Sequence, residues 1–154
     1  MSEAAEAIRT LLYRYAECID AADFAGVGAL FAEGAITAPG MREPVRGAAA
    51  VQRLYESANR VHEDGTLRTM HLVANPIVDV LASGDEATCR SRYVVLQATA
   101  TLPLQPIIAG RYHDRFVRSA GTWRFAERRI EIDLVGNLAD HLRFRLPGPP
   151  PATD

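Results

Sequence analysis

At Thr69 the apolar pattern of this chain changes period, and that change restricts the fold more than any single motif. Before it, apolar residues recur at helical spacing; after it, they alternate. Ile8, Leu11, Leu12, Tyr15 and Ile19 make one stripe of a first helix running to about Ala22. Ser2 is placed to cap it, with Glu3 and Glu6 in the first turn, where a helix favours anions. Asp20 lies at the border of that stripe, in the last turn. A helix laid on a sheet through the stripe brings this carboxylate to the edge of a buried interface, where it needs a partner. Asp23 is placed to cap a short second helix with Phe24, Val27, Leu30 and Phe31 inward, ended by Gly34. Short strands at 35–38 and 42–46 flank a Pro39-Gly40 turn. A third helix over 48–61 turns Val51, Leu54, Tyr55 and Ala58 to the core.

From Thr69 the alternation predicts strands over 69–81, 86–100, 107–119 and 122–134. Pro76 marks a bulge or an edge position in the first of these. In the second, Cys89, Ser91, Tyr93 and Val95 share one face, with Arg90, Arg92 and Val94 on the other. In the last, Arg124, Ala126, Arg128, Ile130 and Ile132 share a face by simple alternation. Residues 137–145 read as a short helix, and the proline-rich residues 147–154 as a disordered tail after one domain of 1–146. Helices first and an antiparallel meander second give an α+β layout with helices on one face of a curved sheet. A bent sheet roofed by helices encloses a pocket.

Composition removes several function classes. The formal net charge of −2 offers nothing to nucleic acid. All 17 basic residues are arginine, so Schiff-base chemistry on lysine is excluded. No HxH or HxxxH pair is present and GVGALF lacks GxGxxG spacing, so neither a metal nor a nucleotide cofactor is expected. Cys18 and Cys89 lack CxxC spacing and read as free, largely buried thiols. No apolar run approaches the ~20 residues of a membrane span. The N-terminal MSEAAEAIRTLL lacks the basic and apolar regions of a signal peptide, so a cytoplasmic location is the expectation.

Three stretches, CIDAADFAGVGALFAEGA, MHLVANPIVDV and GRYHDRFVRSAGTWRFAERR, together resemble the NTF2-like superfamily over roughly residues 5–142. Within it they are most similar to the SnoaL-like group, which includes scytalone dehydratase-like and dehydrochlorinase-like enzymes. The resemblance implies a cone: a curved mixed or antiparallel sheet, with N-terminal helices covering a central pocket. It also implies a homo-oligomer, dimer or trimer, with the convex sheet face as the contact. In those enzymes an aspartate at the end of the first helix pairs with a histidine opening the first long strand; the matching residues are Asp20 and His71. An arginine five positions after the last-strand tryptophan matches Arg128, after Trp123. Two positions depart from the pattern: Tyr15 stands where dehydrochlorinase-like enzymes carry lysine, and Ile19 where scytalone dehydratase-like enzymes carry tyrosine.

The resemblance gives Asp20, His71 and Arg128 as catalytic candidates, and strand alternation gives Ser91, Tyr93 and Tyr112, with Tyr15 from the helix, as substrate-contacting ones. Asp20 fixes the His71 tautomer and the free nitrogen takes a proton. Arg128 polarises the substrate or pairs with an internal acid such as Asp114. The expected function is a cofactor-free lyase (dehydratase) or isomerase acting on a small hydrophobic molecule. Two alternatives stand beside it: a ligand-binding or structural domain, and a partner subunit resembling a dioxygenase β-subunit. His113 alternates outward, and His62 and His141 carry no signal.

Overall fold

The computed structural model describes residues 2–146; the expectation for the tail at 147–154 lies outside the described residues. The elements are α1 (Glu3–Asp20), α2 (Phe24–Leu30), β1 (Ala35–Thr37), β2 (Val45–Arg46), α3 (Ala48–Ala58), β3 (Thr69–Val80), β4 (Glu86–Gln97), β5 (Gln105–Ser119) and β6 (Thr122–Val135). One mixed sheet has the order β2-β1-β6-β5-β4-β3. The long strands β3 to β6 form the antiparallel meander, and β1 joins β6 in parallel. No helix among the described residues is long and apolar enough to cross a membrane.

α1 buries Ile8, Leu12, Tyr15 and Ile19, leaving Leu11 half-buried at the stripe's edge. Burial of such side chains is worth ~1.5–3 kcal/mol each. The Ser2 hydroxyl accepts from the Ala5 amide and Asp23 accepts from the Gly26 amide, so both expected caps form. α3 stops at Ala58, short of the expected 61, because Asn59 turns to extended backbone and bridges Leu142. Residues 137–145 are not a helix. They form a strap with a single turn, in which the His141 and Leu142 amides both donate to the Leu138 carbonyl, and beyond it the backbone bonds to Ala58 and Arg60.

The inner face of the sheet is built in rows from the closed end outward. Ala87, Phe116 and Phe125 come first, then Cys89, Asp114 and Arg128, then Ser91, Tyr112 and Ile130. Tyr93, Gly110 and Ile132 follow, and His71 with Val95 lies at the open end. Two irregularities set this alignment. Asn75 and Pro76 bulge out of β3, so both readings of Pro76 hold, bulge and edge strand. In β6 the register shifts at Ala126, which reverses the alternation. Trp123 and Phe125 therefore share the interior with Arg128, and Arg124 points to solvent beside Glu33. Gly110 is required where it stands: a Cβ there would lie 2.0 Å from the Glu131 carbonyl oxygen and 2.8 Å from the Tyr93 hydroxyl. Both cysteines are free; Cys89 is buried, its thiol pushed up to about 11 by burial, while Cys18 is only half-buried.

Candidate active site

Asp20 closes α1, where the helix dipole disfavours an anion. Donors from β3 offset this. The Thr69 hydroxyl gives a bond of 2.7 Å, the His71 amide one of 2.9 Å, and His71 Nδ1 one of 2.6 Å. Burial raises the Asp20 pKa, but the bonds and charge from His71 outweigh it and hold the carboxyl below the ordinary aspartate range. With Nδ1–H committed to Asp20, the lone pair of the neutral imidazole is on Nε2.

His71 lines a cavity of about 430 Å³ between α1, α3 and the inner face of the sheet. Its walls are mostly apolar, with Ile19, Ile36, Leu54, Val95, Ile108 and Ile130 among them. Tyr15, Tyr93 and Tyr112 line it too, as does Tyr55 from α3. The Tyr15 and Tyr55 hydroxyls bond to each other, and the Tyr93 hydroxyl donates to the Glu131 carbonyl at 3.1 Å. Burial raises the pKa of all these phenols, so they are neutral hydrogen-bonding groups.

Two candidates lie elsewhere. Arg128 is fully buried and absent from the cavity wall. Its Nε and Nη2 each donate to Asp114 at 2.8 Å. Its guanidinium lies over the rings of Tyr112 and Tyr15, at 3.8 and 4.1 Å from their centroids. Burial works against this charge, and Asp114 more than restores it, raising the arginine pKa. Arg128 thus sits behind the tyrosines, off the cavity wall. Ser91 is buried opposite the Asn75–Pro76 bulge, off the cavity wall, with its hydroxyl unpartnered.

His141, which carries no sequence signal, joins the site. It is 6% exposed, lines the cavity, and its ring centroid lies 6.3 Å from that of His71. Asn59, also buried, is a further polar residue of the wall, tied by its side-chain amide to the Tyr55 carbonyl at 2.9 Å. No cluster suited to a metal ion occurs among the described residues.

Burial, followed by the neighbouring charge of His71, pushes the His141 pKa down to about 4. An unfolded histidine titrates near ~6.5. Between these values the unfolded chain binds a proton and the folded chain does not. Stability is therefore complete above ~6.5 and falls as pH drops toward 4, by about 3 kcal/mol from this residue. Urea unfolding at pH 7 and pH 4.5 should show wild type losing clearly more stability than His141→Asn. Equal losses would mean that His141 is not held neutral.

With this geometry in place, comparison with known proteins gives three results. The sequence model of a family described as SnoaL-like domain matches residues 1–129. Comparison with curated proteins finds no match. Among solved structures, an Asp→Asn variant of Rv3472, a protein of unknown function from Mycobacterium tuberculosis, is 30% identical. It aligns over 86% of this chain and 78% of its own, with a TM-score of 0.71. An NTF2-like protein with a cystatin-like fold from Novosphingobium aromaticivorans is 24% identical over 82% of this chain and 80% of its own, at a TM-score of 0.70. The β-subunit of a putative aromatic-ring-hydroxylating dioxygenase from the same organism is 22% identical over 86% and 90%, at 0.66. These last two likenesses concern the fold alone.

Proposed function

This chain belongs to the SnoaL-like domain family, and from that premise we propose that it is a cofactor-free lyase (dehydratase) or isomerase acting on a small apolar molecule. His71 is the base and Asp20 its orienting partner. The observation that carries this reading is the way Asp20 is held. The Thr69 hydroxyl and the His71 amide already tie helix to sheet, so the imidazole bond is not needed as a lock. What the third bond adds is a fixed tautomer, with a basic Nε2 on a residue of the cavity wall.

Tyr15, Tyr93 and Tyr112 supply the aromatic wall that receives the substrate. Arg128 serves from behind, holding the Tyr15 and Tyr112 rings through its charge. The apolar wall excludes water and strengthens each polar contact within it. In the same reading the chain is a cytoplasmic homo-oligomer; the outer sheet face supports the oligomer. A row of Leu72, Val94, Ala109 and Leu134 crosses four strands there, with Leu72 and Leu134 exposed.

The test is 15N NMR of the histidine rings with tetralin as an apolar probe. His71 is expected as the Nδ1–H tautomer, with Nε2 shifting on addition of tetralin, and as a mixture of tautomers in Asp20→Asn. A wild-type ring that mixes tautomers or ignores the probe contradicts the proposal.

A further inference from the structure

His141 is held in an unusual manner. The strap that carries it is fastened on every side. The Arg60 amide donates to the His141 carbonyl at 2.8 Å, and the Arg143 amide to that of Ala58 at 2.9 Å. The Asp140 carbonyl meets His62 Nε2 at 2.9 Å and accepts from Gln97 Nε2 at 3.2 Å. The Asp140 carboxylate accepts from the Thr99 and Thr101 hydroxyls. Arg143 Nε closes the set on the Asn59 carbonyl at 2.8 Å. The backbone around His141 is thereby fixed, yet its ring Nδ1 is buried with no partner.

That combination determines the tautomer. An N–H at a dry Nδ1 with no acceptor is costly, whereas a bare lone pair there is tolerated better. The neutral ring therefore carries its proton on Nε2. His71 is arranged the opposite way: its Nδ1–H is given to Asp20 and its Nε2 is bare. The two rings, 6.3 Å apart and inclined at 61°, are an acceptor and a donor on one cavity wall.

We propose that His141 is a substrate-contacting residue that donates its Nε2–H to an oxygen of the substrate, beside the carbon from which His71 takes a proton. The ligand class is then an uncharged apolar compound whose acidic C–H is next to a carbonyl oxygen. When His71 Nε2 takes that proton, the C–H electron pair moves into the new C=C bond and the carbonyl becomes an enolate. His141 holds the negative oxygen without releasing its own proton. Return of the proton from His71, to the same carbon or to another, restores the neutral imidazole beside the Asp20 carboxylate and releases neutral product. Near-neutral pH suits this arrangement, since a protonated His141 would set a second positive charge against the imidazolium of His71. Asp20 and His62 are the other ionisable groups that act on His141. The catalytic consequence rests on the base reading of His71; the hydrogen bond does not.

The experiment uses 2-tetralone and its hydrocarbon counterpart tetralin. Affinities are measured for wild type, His141→Phe and His141→Gln, with the 13C carbonyl resonance of bound, labelled 2-tetralone as second readout. In His141→Phe the preference for ketone over hydrocarbon should fall about 3–10-fold, the size of one hydrogen bond, and the carbonyl resonance should move upfield. Tetralin binding should persist, showing an intact cavity. His141→Gln, which keeps an N–H donor, should recover part of both effects. An unchanged preference and carbonyl resonance in His141→Phe, or no binding of either probe to wild type, overturns the proposal. Loss of deuterium exchange in His71→Gln together with an unchanged carbonyl resonance in His141→Phe would overturn the role of His141 alone and leave the base reading standing.

Discussion

Replacing His71 by glutamine is expected to slow deuterium exchange at C1 of 2-tetralone by ~10²–10⁴-fold, the usual contribution of a positioned general base. Glutamine keeps polarity and approximate size but has no basic nitrogen. NMR in deuterium oxide at pH 7.5 follows the loss of the C1 proton signal directly. Asp20→Asn should lower the rate as well, because an amide facing Nδ1 no longer selects the Nδ1–H tautomer, and the base then spends part of its time with Nε2 protonated. A thermal melt of each variant separates chemistry from unfolding. Equal exchange rates in wild type and His71→Gln would remove the base assignment.

Asp114→Ala should be the most destabilising single change in the molecule. It leaves the Arg128 guanidinium charged, fully buried and without its bidentate partner. Stranding one member of such a pair costs ~3–5 kcal/mol, against a total stability of ~5–15 kcal/mol for a typical domain. Urea titration should show a midpoint collapsed toward zero denaturant. The double change Asp114→Leu with Arg128→Met removes both charges and should recover most of that loss. Because Arg128 is absent from the cavity wall, the double variant should also keep ketone exchange within about 10-fold of wild type; a missing direct catalytic contact would cost more. Recovered folding with exchange as low as in His71→Gln would mean that Arg128 reaches the substrate after all.

What could be read from the sequence follows the regularity of the backbone. Asp20 and His71 sit on a helix and a strand whose periods place them without reference to anything else, and the family pattern supplied their pairing. Tyr15 on its helix and Tyr93 and Tyr112 on their strands share that advantage, since the local period places each at the cavity wall. Two readings that needed correction, the facing of Arg124 and the helix at 137–145, lie where the backbone departs from its period. Simple alternation puts Arg124 on one face with Arg128, but the bulge at Ala126 shifts the phase by one residue and turns Trp123 and Phe125 to that face instead. Residues 137–145 read as a helix, yet after one turn at Leu138 their hydrogen bonds go to distant partners at Ala58, Arg60 and Gln97, which no local pattern announces. His141 was illegible for that reason. Its place in the cavity depends on a strap whose course is fixed by contacts 39 or more residues away. Tyr55 had the correct helical face, but its meeting with Tyr15 is a fact of tertiary structure.

The interruption in β3 has a consequence for life at high protein concentration. β3 is an outer strand of the sheet and shows Met70, Leu72 and Ile77 to solvent. An apolar border strand with a regular row of free amides invites addition of a strand from another molecule, the first step toward aggregates. Here Pro76 has no amide to offer, and Asn75, at a φ of 53°, breaks the pleat beside it. No incoming strand can follow the border of β3 through Asn75–Pro76 in a single register. The kink that shapes the inside of the cone thus also guards its rim against open-ended self-association.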